Sequence, residues 1–205
     1  RIIVDGKDKI GEVLTKCDEL GLDIDPDLIR MLGVIPLPTL RMYYHPEEAI
    51  NGQAGPTRGS VLASAEEQMM ACLKAGDYGR LEEYYAKRDT PWYKIMVKLI
   101  GALSGIQPGY FFLNVINNGL LDFLPDEAIV EVNCYVDKNG IHPIHIGKVN
   151  DMVKPLIAAI NEYEERAQKA ILNKDRQGMV KALMIHPEIR DYGLAKKIVR
   201  KVAPK

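Results

Sequence analysis

Two adjacent phenols offer the first chemistry in this chain. Tyr43 and Tyr44 stand beside Arg41 and His45 in a segment bounded by Pro36, Pro38 and Pro46. A phenol titrates near pH 10, so it works as a base near neutral pH only where a cation or metal stabilises the phenolate. Arg41 is such a cation. Spacing alone favours a plainer arrangement, with one ring in the core and the other half-buried for its area. Arg58 lies in Gly55-Pro-Thr-Arg-Gly59, just ahead of a helix. A guanidinium beside free helix-start N–H groups suits a phosphate or carboxylate, although a solvated arginine fits the same loop. Asn114, Asn117 and Asn118 precede Gly119. They could orient a sugar hydroxyl or a phosphate, or accept left-handed dihedrals in a turn.

The elements that must position these groups centre on residues 114–147. Asn139-Gly140 between two alternating runs predicts a two-residue hairpin turn. That register sets Lys138 opposite Ile141, Asp137 opposite His142, Cys134 opposite His145 and Glu131 opposite Lys148. Val130, Val132, Cys134 and Val136 share the core face, with Ile129, Glu131, Asn133 and Tyr135 on the other. Pro143 cannot donate to a ladder, which puts the second strand at a sheet edge. Cys134 and His145 could act as nucleophile and base. No third group orients them, so a packed thiol beside a half-buried imidazole is the preferred reading. His45, His142 and His186 each precede proline, and no H-x-x-x-H spacing makes a metal site.

Elsewhere the pattern is helical. Asp8 predicts a helix to about Leu20 stopped at Gly21, and Asp25-Pro26 a short helix ended by Gly33. Helices follow at about 59–75 with Gly76 as stop, at 77–87 behind Asp77, and at about 92–103. The last has Trp92, Ile95, Met96, Leu99 and Ile100 as an apolar stripe. Residues 110–116 read as a buried strand, and Arg1 to Gly6 as a short β-branched strand ending in a turn. Met152, Leu156, Ile157, Ile160 and Tyr163 mark a long helix. Asp175 caps the next, His186-Pro187 ends it, and 192–202 forms the last. Strands at the start and middle with helices between and after make an α+β chain, a mostly antiparallel sheet covered by helices.

At 205 residues, 47% hydrophobic and 27% charged, the composition is that of a soluble globular domain. A net charge of −1 predicts no nucleic-acid or membrane partner. No apolar run is long enough to span a bilayer, and no signal-peptide pattern opens the chain. Cys17, Cys72 and Cys134 read as reduced intracellular thiols. There is no GxGxxG and no P-loop sequence. The chain starts at Arg, which reads as a piece of a longer polypeptide.

Several motifs together resemble the C-terminal half of the family 4 glycoside hydrolases, which include 6-phospho-glucosidases. They are Pro38-x-Leu40-Arg41-x-Tyr43-Tyr44, Thr57-Arg58-Gly59 followed by Glu67, and Asn117-Asn118-Gly119 with Leu124-Pro125-Asp126. They continue with Val130-Glu131-Val132-x-Cys134, Asn139-Gly140-x-His142-Pro143, and Ala182-Leu183-Met184-x-His186-Pro187. The resemblance implies a fold like the C-terminal domain of lactate and malate dehydrogenases. It implies hydrolysis of glucosides, 6-phosphorylated ones first, by NAD-dependent oxidation, elimination, addition and reduction, which departs from the two-carboxylate scheme. It implies NAD and a divalent metal, manganese, as cofactors, with their main binding residues in an N-terminal nucleotide-binding domain outside this chain. Residues 1–205 are then one substrate and oligomerisation domain, inactive alone, cytoplasmic and homo-oligomeric. Carried over by motif, Tyr43 is the base and Tyr44 its fallback, with Arg41, Arg58, Asn117 and Asn118 at the substrate. Met42 stands where the family often has another tyrosine. Two other readings stay open: a non-catalytic sugar-binding or oligomerisation module, and a 2-hydroxy-acid dehydrogenase-like substrate domain. The second should carry a catalytic histidine with a carboxylate partner, and none is evident in the sequence.

Overall fold

The computed structural model describes residues 3–17, 25–52, 55–87 and 92–203. The chain divides into two compact units. The first comprises Arg1–Pro46, Ile116–Val130 and His145–Lys205, and the second Glu47–Val115 and Glu131–Ile144.

In the first unit, β1 (Ile3–Val4) pairs antiparallel with β2 (Lys7–Asp8). Helix α1 (Ile10–Thr15) is shorter than expected. Asp8 belongs to β2, and its carboxylate accepts the Ile10 amide at 3.1 Å; the expected stop at Gly21 lies outside the described residues. Helix α2 (Pro26–Leu32) forms as its signals predict. The Asp25 carboxylate accepts the Asp27 amide, proline occupies the first turn, and Gly33 closes the helix at φ +64. A 3-10 turn (Pro38–Leu40) leads into α3 (Arg41–Tyr44), and α4 (Pro46–Asn51) follows.

The second unit holds α5 (Arg58–Ala75), α6 (Tyr78–Lys87) and α7 (Trp92–Leu103). Gly76 ends α5 at φ +70, and Asp77 caps α6 through the Arg80 amide. Most of the sheet lies in this unit too. Strands β3 (Gly109–Ile116), β4 (Ile129–Asp137) and β5 (Gly140–Pro143) lie in that order, with β5 at the edge as Pro143 requires. Val130, Val132, Cys134 and Val136 are buried on one face of β4, as their alternation predicts.

Two expectations for the sheet need correction. Strand β3 is not buried: Tyr110, Phe112 and Ile116 are exposed, and only the alternate residues are covered. The hairpin register is also shifted by two residues. Asp137 pairs with Gly140, Val136 with Ile141, Tyr135 with His142, and Cys134 with Pro143, so Cys134 does not face His145. The turn residues are therefore Lys138 and Asn139. The Asp137 carboxylate closes this turn by accepting the Asn139 amide at 2.8 Å. Asn139 then avoids positive φ, and only Gly140 takes it, at +128. A two-residue shift preserves the parity of the strands, which is why the core face survives the error.

Helices α8 (Lys154–Leu172), α9 (Arg176–Ile185) and α10 (Tyr192–Val202) complete the first unit. Their core is built of small residues, with Ala170, Ala182, Ala195 and Val199 buried. A Cβ built on Gly178 would stand 2.9 Å from the Ala170 Cβ, so α8 and α9 approach closely only because Gly178 has no side chain.

Candidate functional site

The phenol pair occupies a corner set by prolines. Asn150 Nδ2 donates to the Leu32 carbonyl at 2.7 Å, which ties the end of α2 to the segment before α8. Pro36 is buried, and Leu40 N donates to Leu37 O to form the 3-10 turn. His45, held at φ −132 and ψ +58 ahead of Pro46, ends α3. One helical turn thus carries Arg41, Tyr43 and Tyr44. The two rings meet edge to face, with centroids 4.9 Å apart. Both are half-buried, so neither is sealed in the core, and Arg41 is exposed. Burial, and then the neighbouring Tyr43, hold the Tyr44 phenol above its ordinary range. That disfavours Tyr44 as a neutral-pH base relative to an unshifted phenol.

The Asn-Gly bend belongs to the same unit. Asn117 is fully buried, at 0% exposure. Its side-chain nitrogen donates to the carbonyls of Leu121, Leu124 and Pro125 at 3.0–3.1 Å, and its oxygen accepts the Leu121 amide at 2.7 Å. This one amide folds the 117–125 loop upon itself, and its polar atoms point into that loop. Asn118 is exposed at φ +39, next to Gly119 at φ +80. The bend therefore presents Asn118 and conceals Asn117.

Arg58 belongs to the second unit. Thr57 caps α5 by accepting the Ser60 amide at 3.2 Å, which leaves Arg58 exposed in the first turn of the helix. A cation there opposes the helix dipole, so its position calls for a reason other than helix stability.

The sequence reading sets Asp137 opposite His142 without drawing a bond between them, and the structure brings the two together by another route. His142 Nε2 lies 3.0 Å from Asp137 Oδ1, although the two are diagonal across the hairpin. The bond to His142, and then the Asn139 amide, hold the Asp137 carboxyl below the usual carboxylate range. A histidine–carboxylate pair is thus present after all. His142 is exposed and Asp137 fastens the turn, so the pair is a clasp on the hairpin rather than a buried catalytic dyad. The spacing Asp-x-x-x-x-His around a tight turn was the available signal. Cys134 is buried, and its thiol is pushed up by desolvation, the opposite of an activated nucleophile. Among the described residues, no three His, Cys, Asp or Glu side chains gather to hold a metal ion. No helix among them is long and apolar enough to cross a membrane.

Comparison with known proteins places this arrangement. The family model described as the family 4 glycosyl hydrolase C-terminal domain matches residues 3–189. The chain belongs to this family. A protein of Bacillus subtilis strain 168, named as a probable 6-phospho-beta-glucosidase, is 28% identical over 189 residues, covering 87% of this chain and 42% of the relative. A 6-phospho-beta-glucosidase of Thermotoga maritima is 31% identical over 123 residues, covering 60% of this chain and 30% of its own. The chain therefore spans less than half the length of these family 4 relatives. The crystal structure of the Thermotoga maritima enzyme with manganese, NAD+ and glucose-6-phosphate superposes with a TM-score of 0.79 at 22% identity, over 97% of this chain and 50% of that one. A 6-phospho-alpha-glucosidase from gut microorganisms, solved with NAD and Mn2+, gives 0.73 at 18%, over 97% and 49%. These likenesses show the fold: α+β, of the lactate/malate dehydrogenase C-terminal type, as the motifs implied.

Proposed function

We propose that this chain is the substrate half of a family 4 glycosidase that hydrolyses 6-phosphorylated glucosides by oxidation, elimination, addition and reduction. The family match along residues 3–189 carries the reading. Its relatives include a 6-phospho-beta-glucosidase and a phospho-alpha-glucosidase, so the anomer is left open.

In this reading Tyr43 is the base. Its half-buried ring sits on a proline-bounded turn that limits its motion. It takes the proton from the carbon next to a sugar ketone, and the aglycone leaves as the carbanion collapses. Arg41, in the same helical turn, is the cation assigned to support a phenolate. Tyr44 is the fallback base, and its raised pKa places it second. Asn118 is assigned to the sugar hydroxyls and Arg58, by motif alone, to the phosphate, while Asn117 acts indirectly by holding the bend.

NAD and a divalent metal belong to the reading, since related structures contain both. The described residues do not fit either group: they gather no metal-ligand cluster, and the chain lacks a dinucleotide fingerprint. Both groups are assigned to a nucleotide-binding domain that works with residues 1–205 as the substrate domain, in a cytoplasmic homo-oligomer. NAD, when bound in that domain, would take up the hydride in the oxidation and return it in the reduction, while the proton transfer is the work of this chain's own residues. The test is hydrolysis of aryl 6-phospho-α- and 6-phospho-β-glucosides by the protein joined to such a domain, with NAD and manganese supplied. Turnover of one phosphorylated anomer, lost without NAD or metal, is expected. No turnover of either anomer overturns the proposal.

A further inference from the structure

The last helix pair carries a site that the glycosidase reading does not use. Helices α9 and α10 enclose a groove of about 490 Å³, within the range of small-molecule sites. Arg176, Lys181, Lys196 and Arg200 line it, and no carboxylate does. Among the described residues none of these four has an ion-pair partner. The nearby acids are engaged elsewhere: Asp175 accepts the Gly178 amide and Asp191 the Leu194 amide, as helix caps. Arg176 is already oriented, because its guanidinium donates to the Ala203 carbonyl. Lys196 lies 5.0 Å over the Tyr192 ring, which is 57% exposed. Val180 and Met184 add apolar lining beside that ring.

The charge is segregated on a larger scale as well. Residues 174–205 hold nine basic and three acidic residues, whereas the remainder holds eighteen basic and twenty-five acidic. Four unpaired cations around one concavity repel each other, and a polyanion relieves that repulsion. A basic amphipathic helix can also signal a membrane surface. Here, however, Ala195 and Val199 on the apolar face of α10 are buried, so that face is not free to insert.

We propose that the α9–α10 groove binds a nucleoside polyphosphate. The phosphates lie among Arg176, Lys181, Lys196 and Arg200, and the base packs on Tyr192, Val180 and Met184. The proposal is independent of the glycosidase reading. It is tested by calorimetric titration of the protein with ATP in EDTA at low ionic strength. Saturable binding is expected, weakened about tenfold or more by Arg200→Glu or Lys196→Glu and abolished by about 0.5 M salt. Lys197→Glu, on α10 but outside the groove lining, should leave binding within about twofold of the parent, and tripolyphosphate should bind more weakly than ATP. Absence of saturation at millimolar ATP overturns the site. Equal losses in Lys197→Glu and Arg200→Glu reduce it to diffuse charge attraction and also overturn it. Tripolyphosphate binding as tightly as ATP overturns the nucleoside assignment.

Discussion

Single side chains decide the chemistry proposed here. Arg58 is exposed in the first turn of α5, where a cation opposes the helix dipole. If it holds a substrate phosphate, Arg58→Ala should raise KM for a 6-phosphoglucoside about tenfold to a hundredfold with little change in kcat. Steady-state kinetics read this directly, and an unchanged KM removes Arg58 from the site. Asp137 makes a different prediction. Its folded-state pKa is depressed by His142 and the Asn139 amide. Its contribution is thus complete above the ordinary carboxylate value and is lost as pH falls through the depressed one. Thermal melts of Asp137→Asn should show a lower Tm than the parent at pH 6 and a gap that shrinks as the pH falls through the depressed pKa of the parent carboxylate. A gap that widens on acidification would contradict the clasp. Tyr44, raised by burial, and Cys134, raised by desolvation, are both groups from which the fold withholds reactivity.

At the level of elements, local chemistry was legible and long-range fit was not. Asp25, Asp77 and Asp175 announce their helices because a short carboxylate next to a helix start has an obvious donor to satisfy. Gly33 and Gly76 announce the ends by taking left-handed dihedrals. The hairpin register was misread because Asn-Gly dominates turn statistics, whereas Asp137 recruits the Asn139 amide and moves the turn back one residue. The exposure of β3 was illegible because Tyr, Phe and Ile alternate there with equally apolar neighbours, and composition does not say which face is covered. Of the residues in the proposed site, Tyr43 and Arg58 stand out by type, but nothing in the spelling of Asn117-Asn118 tells which amide turns inward. The close approach of α8 and α9 was also hidden, since a glycine inside a helix looks like a weakness. Gly178→Ala gains helix propensity of about 1 kcal/mol, yet the new methyl meets the Ala170 Cβ and the capping carboxylate of Asp175. We expect a net loss of about 1–2 kcal/mol in denaturant unfolding; stabilisation would show that the helices have room to separate.

Across the whole molecule, near-neutral net charge conceals a strongly basic end, and ordinary composition conceals exposed apolar faces. Met96, Val97 and Ile100 on α7 are 58%, 66% and 61% exposed. Three exposed apolar side chains on one helix make a candidate docking surface. We assign it to a second copy of the protein, in keeping with the proposed homo-oligomer. Ile100→Glu should shift the mass measured by light scattering toward the monomer, and an unchanged mass would move the interface elsewhere. The catalytic claim is more direct to test, because proton removal at C2 leaves an isotopic trace. In D2O, with NAD and manganese and the nucleotide-binding domain present, the protein should wash deuterium into C2 of a 6-phosphoglucose product, as read by NMR. Tyr43→Phe should slow that exchange by about 10²–10⁴-fold while the protein remains folded, and exchange at the parent rate would contradict the account.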